Sequence, residues 1–132
     1  RAAGHSIIPT TTGAAKAIVK IFPSLQGKID GGAIRVPVSN GSMTEITLII
    51  SKTTSIDRIT RIMEESASNE LKGILEVNSD PIVSVDVIGS SASSIYDASL
   101  STDYEHMLRI VSWYDNESGY SNRLLELAKR VS

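Results

Sequence analysis

The spacing of apolar positions changes from segment to segment along this chain, and the changes mark out its elements. Ala14, Ala17, Ile18 and Ile21 recur at helical spacing, which predicts a helix over 13–22 that buries this stripe and stops at Pro23. Asp30-Gly31-Gly32 reads as a turn. Residues 33–38 then read as a strand, with Ile34, Val36 and Val38 on one face and Arg35 pointing away from it. Pro37 marks an edge, a bulge or the end of that strand, because it has no N–H to give a ladder. Ser39-Asn40-Gly41-Ser42 has turn chemistry, and a strand follows over 43–51, alternating Thr44, Ile46, Leu48 and Ile50 against Glu45 and Thr47. The short Asn-Gly connection favours antiparallel pairing of these two strands.

Ser55 is a natural N-cap for a helix over 56–67, with Ile56, Ile59, Met63 and Ala67 inward and Asp57, Arg58, Arg61 and Glu64 outward. Residues 74–77 fit a short strand. After Pro81, the alternation of Val83, Val85 and Val87 predicts another over 82–88. Ser90-Ser91-Ala92-Ser93-Ser94 has a linker's composition, but its brevity and apolar flanks argue against a domain boundary. The run over 107–114, rich in apolar and aromatic residues, is the clearest strand. Residues 115–119 read as a loop, and a last helix over 120–131 presents Tyr120, Leu124, Leu127, Ala128 and Val131 as its stripe. No repeat is visible. Helices mixed with short alternating strands predict an α+β domain: a mixed, largely antiparallel sheet with helices packed on one face.

Composition narrows the classes of function. At 132 residues, 41% apolar and 21% charged, the chain suits one ordinary globular domain with a core. A net charge of −2 and the lack of a Lys/Arg cluster give no reason to expect a nucleic-acid partner. No apolar run approaches the ~20 residues of a membrane span, and the first residues lack the build of a signal peptide. Cysteine is absent, which removes disulfides, thiolate metal sites and cysteine nucleophiles from these residues. His5 and His106 are too few and too far apart in sequence to suggest a metal site, and each reads first as a surface or loop histidine. Arg1-Ala2-Ala3-Gly4 carries no Met and reads as if the chain were entered part-way through an element.

Three places carry candidate chemistry. Thr10-Thr11-Thr12-Gly13 leads straight into the first helix, where a threonine caps free N–H groups and the glycine lets a ligand approach the backbone. A helix start of this kind also makes an anion site, although a capped surface helix is the commoner use. Arg35 brings a planar fork that binds two oxygens at once, though an arginine on a strand more often makes a surface ion pair. In Trp113-Tyr114-Asp115-Asn116-Glu117-Ser118-Gly119-Tyr120, Asn116 offers the donor and acceptor that match a carboxamide, and Tyr120 a ring for a flat heterocycle. A strand-to-helix turn capped by Asp115 or Asn116 explains the same residues without a ligand.

Taken together, Ile-Ile-Pro-Thr-Thr-Thr-Gly-Ala-Ala-Lys (7–16), Arg-Val-Pro (35–37), Leu-Lys-Gly-Ile-Leu (71–75) and Trp-Tyr-Asp-Asn-Glu-x-Gly-Tyr (113–120) resemble the phosphorylating glyceraldehyde-3-phosphate dehydrogenase family, in order and approximate spacing. The resemblance covers essentially the whole chain and implies a single partial domain over 1–132, the larger part of the catalytic domain, without the nucleotide-binding domain. It implies oxidation of glyceraldehyde 3-phosphate to 1,3-bisphosphoglycerate with NAD and inorganic phosphate, in a cytoplasmic homotetramer. Thr12, Gly13 and Arg35 would then bind phosphate, Asn116 would hold the nicotinamide carboxamide, and Tyr120 would pack near the nicotinamide ring.

Departures from the family pattern restrict the roles these residues can take. The family's cysteine nucleophile and histidine base belong to sequence before Arg1, and neither His5 nor His106 falls where the base should be. No catalytic residue and no metal is therefore assigned within the chain, and the 132 residues alone are expected to be inactive. Ser118 stands where Trp or Thr is common, and Gly41-Ser42-Met43-Thr44 departs from the usual strand entry. Erythrose-4-phosphate dehydrogenase, an NADP-preferring form and a non-catalytic binding or assembly module are the alternatives.

Overall fold

The alternation over residues 107–114 forms the strand on which a four-stranded sheet is built. The computed structural model describes residues 2–131 and divides into two compact units, Arg1–Ser39 and Asn40–Ser132. Among the described residues no helix is long and apolar enough to cross a membrane.

In the first unit, β1 (Ile8–Thr11) pairs antiparallel with β2 (Gly32–Arg35), and α1 (Ala14–Ile21) follows β1 directly. The predicted helix is present, but its stripe is not buried. Ile18 and Val19 are half-covered while Ala14, Ala17 and Ile21 are exposed. The face bearing Ile34 is likewise open to solvent. The reason is local: a two-stranded ribbon and an eight-residue helix bring too little surface to enclose either face.

In the second unit the strand order is β3 (Ser42–Ile49), β6 (Met107–Tyr114), β5 (Ser94–Tyr104), β4 (Leu75–Asn78). The β3–β6 and β6–β5 pairs are antiparallel and β4–β5 is parallel, so the sheet is mixed and largely antiparallel, and the fold is α+β as expected. The expected pairing of the strands around Asn40-Gly41 does not occur, since β2 belongs to the ladder with β1 and β3 to that with β6. Asn40 instead folds its own turn, its Oδ1 accepting the Gly41 N–H at 2.7 Å. Gly41 has φ +86, and a Cβ there would collide with the Ser84 carbonyl, so only glycine fits.

Helix α2 (Ile56–Ser68) matches its sequence pattern closely. Ser55 Oγ accepts the Arg58 N–H at 3.3 Å, and Ile56, Ile59, Met63 and Ala67 are all half-buried. Its contact with the sheet includes a hydrogen bond of 3.0 Å between Thr60 and the buried Tyr96 hydroxyl. On β5, Ile95 packs with Val87 and Ala92 in a cluster that Ile82 and Trp113 partly cover.

β5 was not expected as a strand, and two further segments differ from expectation. Residues 82–88 form no strand: Ser84–Val87 is a turn of 3-10 helix, with Val87 buried while Val83 and Val85 are exposed. Asp86 explains it, because its carboxylate takes the Val83 N–H at 2.8 Å while its own N–H donates to the Val83 carbonyl. Such local bonds compete with a ladder. Helix α3 (Asn116–Val131) starts four residues before its predicted start, within the expected loop. Its apolar stripe, Tyr120, Leu124, Leu127 and Val131, is exposed, and the face that packs carries Gly119 and Arg123. A Cβ on Gly119 would lie 2.8 Å from the Ala92 carbonyl oxygen, so glycine permits this approach. Arg123 fastens the next turn by donating to the Gly73 carbonyl and to Ser93 Oγ, each at 3.2 Å.

Two buried carboxylates hold the irregular parts. Asp97 sits at a break in the β5–β6 register, where its Oδ1 accepts from the N–H and hydroxyl of Ser99 and from the Leu100 N–H. Its Oδ2 takes the Trp113 indole N–H at 2.8 Å. Asp115 joins the end of β6 to α3: its Oδ1 accepts the Ser118 N–H at 2.9 Å, and its Oδ2 accepts from Gly89 N–H at 2.8 Å and Asn40 Nδ2 at 2.9 Å.

Burial pushes the Asp97 carboxyl up, but hydrogen bonds from Ser99, Trp113 and Leu100 outweigh it and leave the pKa below the ordinary value. Asp115 is also lowered, first by the Gly89 and Ser118 amides, against the opposing cost of burial, with Asn40 adding to the effect. A folded pKa below the unfolded one means that the stabilisation is complete above about pH 3.9 and is lost as pH falls through the folded value. We predict a thermal midpoint that is flat from neutral pH to about pH 5 and drops below about pH 4. Asp115→Asn should lower the neutral midpoint and flatten that acid drop; a variant with the wild-type acid slope would contradict this assignment.

Candidate functional site

The first group of candidate residues lies on the unit Arg1–Ser39. Thr12 follows β1, and Gly13 is the N-cap of α1. Thr12 Oγ1 accepts the Ala14 N–H at 3.2 Å, and the Gly13 carbonyl accepts that of Ala17 at 3.0 Å. Gly13 has φ −85, which any residue adopts, and a Cβ there would meet nothing within 4 Å. Neither backbone geometry nor crowding within this chain requires glycine at that point. Its lack of a side chain leaves open space over a helix end where N–H groups and the positive end of the dipole coincide.

Arg35 ends β2 opposite Ile8, three steps along the ladder from the Thr11–Gly32 pair. Opposed residues share a face, so Arg35 lies on the side of Ile8, Thr10 and Ala33 and away from Ile34. Thr12 is four residue steps from Ile8, about 13 Å along an extended strand. Arg35 is exposed and, among the described residues, has no carboxylate partner.

The second group lies on the unit Asn40–Ser132. Asn116 opens α3 and Tyr120 follows one turn later, so the two side chains are neighbours on one helix face. Both are exposed, Tyr120 to 65%, and the Asn116 carboxamide makes no hydrogen bond among the described residues. A free amide donor and acceptor beside an exposed ring fits a planar ligand that carries its own carboxamide.

The turn reading of residues 115–119 is also realised, because Asp115 caps the helix that Asn116 begins. The capping carboxylate is 3% exposed, and sequence spacing alone did not single it out as more than a cap. Ser118, at the unusual position of the motif, packs against the same turn by donating its hydroxyl to the Gly89 carbonyl at 3.3 Å.

His5 lies in a short 3-10 turn, and His106 lies in the turn between β5 and β6, with Nδ1 3.2 Å from the Ile50 carbonyl. Among the described residues no three His, Asp or Glu side chains gather as a metal site. An open groove of about 470 Å³ between α2 and β4, lined by Glu64, Leu75, Glu76 and Val77 among others, includes none of the candidate residues.

Comparison with known proteins gives the family. The family model described as glyceraldehyde 3-phosphate dehydrogenase, C-terminal domain, matches residues 1–116. The glyceraldehyde-3-phosphate dehydrogenase of Mycolicibacterium smegmatis is 48% identical over 131 residues, and that of Mycobacterium leprae 47%. Glyceraldehyde-3-phosphate dehydrogenase 1 of Streptomyces avermitilis is 45% identical over the same length. Each alignment takes in 99% of this chain, but the chain spans only 38% of the first relative and 39% of the other two. On this match, the chain belongs to the glyceraldehyde 3-phosphate dehydrogenase family and corresponds to sequence of its C-terminal domain.

Proposed function

We propose that the chain supplies phosphate-binding and nicotinamide-facing elements to an enzyme that oxidises glyceraldehyde 3-phosphate to 1,3-bisphosphoglycerate. Family membership carries this reading, and the side-by-side placement of Asn116 and Tyr120 on α3 supports it from the geometry. NAD, when bound, supplies the hydride acceptor, with NADP as the alternative cofactor. Asn116 would orient the ring through its carboxamide, and Tyr120 would lie against the ring. Thr12 and Gly13 would offer the open helix start to phosphate. Arg35 would reach along the ribbon to neutralise it, presenting two N–H groups to two oxygens. Precise holding of both reactants is itself a large part of the acceleration in such a transfer.

The bond-making groups come from elsewhere. The resemblance implies a cysteine thiolate that attacks the aldehyde and a histidine that takes its proton, and these 132 residues contain no cysteine. The chain's own residues therefore bind and orient. Erythrose 4-phosphate is the alternative substrate, longer by one hydroxylated carbon between the aldehyde and the phosphate.

A second reading, an assembly role, is favoured by the exposed stripe of α3 and by Ile34 and Ile49, apolar side chains left exposed on their own units. The two readings join if the surfaces meet the remainder of a cytoplasmic homotetrameric enzyme.

The purified 132-residue chain should give no aldehyde-dependent NADH above background. NADH formation that persists after full-length enzyme has been removed would overturn the division of labour. In the active dehydrogenase carrying this segment, Arg35→Ala should lower kcat/KM for phosphate or the phosphorylated aldehyde by about tenfold to a hundredfold, the size of one charged hydrogen-bonding group. The Kd for NAD should change much less. Unchanged kinetics for both anions would remove Arg35 from the site.

A further inference from the structure

We propose that Asp115 is a positioning residue for the nicotinamide ring, acting through Asn116; the inference rests on the nicotinamide reading given above. Capping α3 requires only one acceptor, and Oδ1 provides it to the Ser118 N–H. A serine or threonine hydroxyl would do as much. The second oxygen does something a simple cap does not. Oδ2 ties the helix start to two remote segments at once, the Gly89 N–H and the Asn40 amide, 26 and 75 residues away in sequence. The Asp115 carbonyl completes the junction by accepting the Gly119 N–H at 2.9 Å.

Asn116 is the next residue, and among the described residues its side chain has no bonds of its own to hold it. Its direction is therefore set by where the helix begins. Successive helical residues are about 100° apart around the axis, so a start displaced by one residue would swing the carboxamide to another face. It would also break the alignment of Asn116 with Tyr120 one turn on. The clamp prevents this in two ways. Gly119, pressed against the Ala92 carbonyl, limits how far the first turn moves. Asp115, with three donors on two oxygens, leaves no slack in the residue before Asn116.

The charge matters as well as the shape. With asparagine at 115, one oxygen could still cap Ser118, but the NH2 group would then face two donors, the Gly89 N–H and Asn40 Nδ2. Asn40 cannot turn its oxygen towards 115 without giving up its 2.7 Å bond to the Gly41 N–H. Asp115→Asn therefore keeps the volume and the cap but loses the clamp.

The test uses the active dehydrogenase carrying this segment and a readout that fold stability does not move: the preference for NAD over 3-acetylpyridine adenine dinucleotide, as a ratio of kcat/KM values. The two cofactors differ at the group that Asn116 would hold. Asp115→Asn should reduce this preference about fivefold, roughly one hydrogen bond, as Asn116→Ala should. The double variant should lose no more than Asn116→Ala alone. Wild-type preference in Asp115→Asn, with the preference lost in Asn116→Ala, would overturn the role of Asp115 and leave the nicotinamide reading standing. Wild-type preference in Asn116→Ala would overturn that reading itself. If Asp115→Asn does not fold, Asn40→Ala removes one of the three donors, and a loss of about twofold is expected; no change would then overturn the proposal.

Discussion

A single buried carboxylate holds together the part of the second unit that the sheet does not. Asp115 stands where β6 ends and α3 begins, and it draws in the turn at Asn40 and the turn at Gly89. A carboxylate with fewer donors would be costly to bury, and three amide donors without it would be left unsatisfied. The arrangement is stable because each group needs the others. Asp97 does the same for the irregular stretch of β5, where it replaces ladder bonds lost to the register shift. Ser101 shares that task, accepting the Val111 N–H and donating to the Asp97 carbonyl.

Legibility in the sequence tracked the range of the controlling interactions. β6 was readable because its apolar and aromatic run lies at the centre of the sheet, between β3 and β5. α2 was readable because its cap and inward residues lie close together in the chain, within Ser55 and the helix itself. β5 was not, since Asp97, Ser99 and Ser101 look like loop residues until their bonds to one another are seen. Val83, Val85 and Val87 alternated like a strand, but Asp86 offered a closer partner than any neighbouring strand. The start of α3 was hidden in a loop-like run of Asn, Glu, Ser and Gly. The apolar stripe of that helix was visible, but a stripe does not say whether this chain or another surface covers it.

The candidate site was legible in a different way. Residue types suggested anion and carboxamide chemistry at Thr12, Gly13, Arg35 and Asn116, yet each had a plainer use. Only the order and spacing of several motifs pointed to one family, and the family match agrees. The structure adds local geometry: Gly13 is open without being strained, Arg35 has no carboxylate partner among the described residues, and Asn116 has a free amide beside Tyr120. It also adds Asp115 as more than a cap, which no spacing rule finds because two of its partners are remote in sequence.

Amide hydrogen exchange at neutral pH tests the Asp115 junction most directly. The Gly89 N–H lies in a turn outside any ladder, and among the described residues its hydrogen-bond acceptor is the Asp115 carboxylate. It should exchange as slowly as the amides at the centre of β6, together with the Ser118 N–H. Exchange of Gly89 and Ser118 at the rate of exposed turn amides, while β6 stays protected, would contradict the junction.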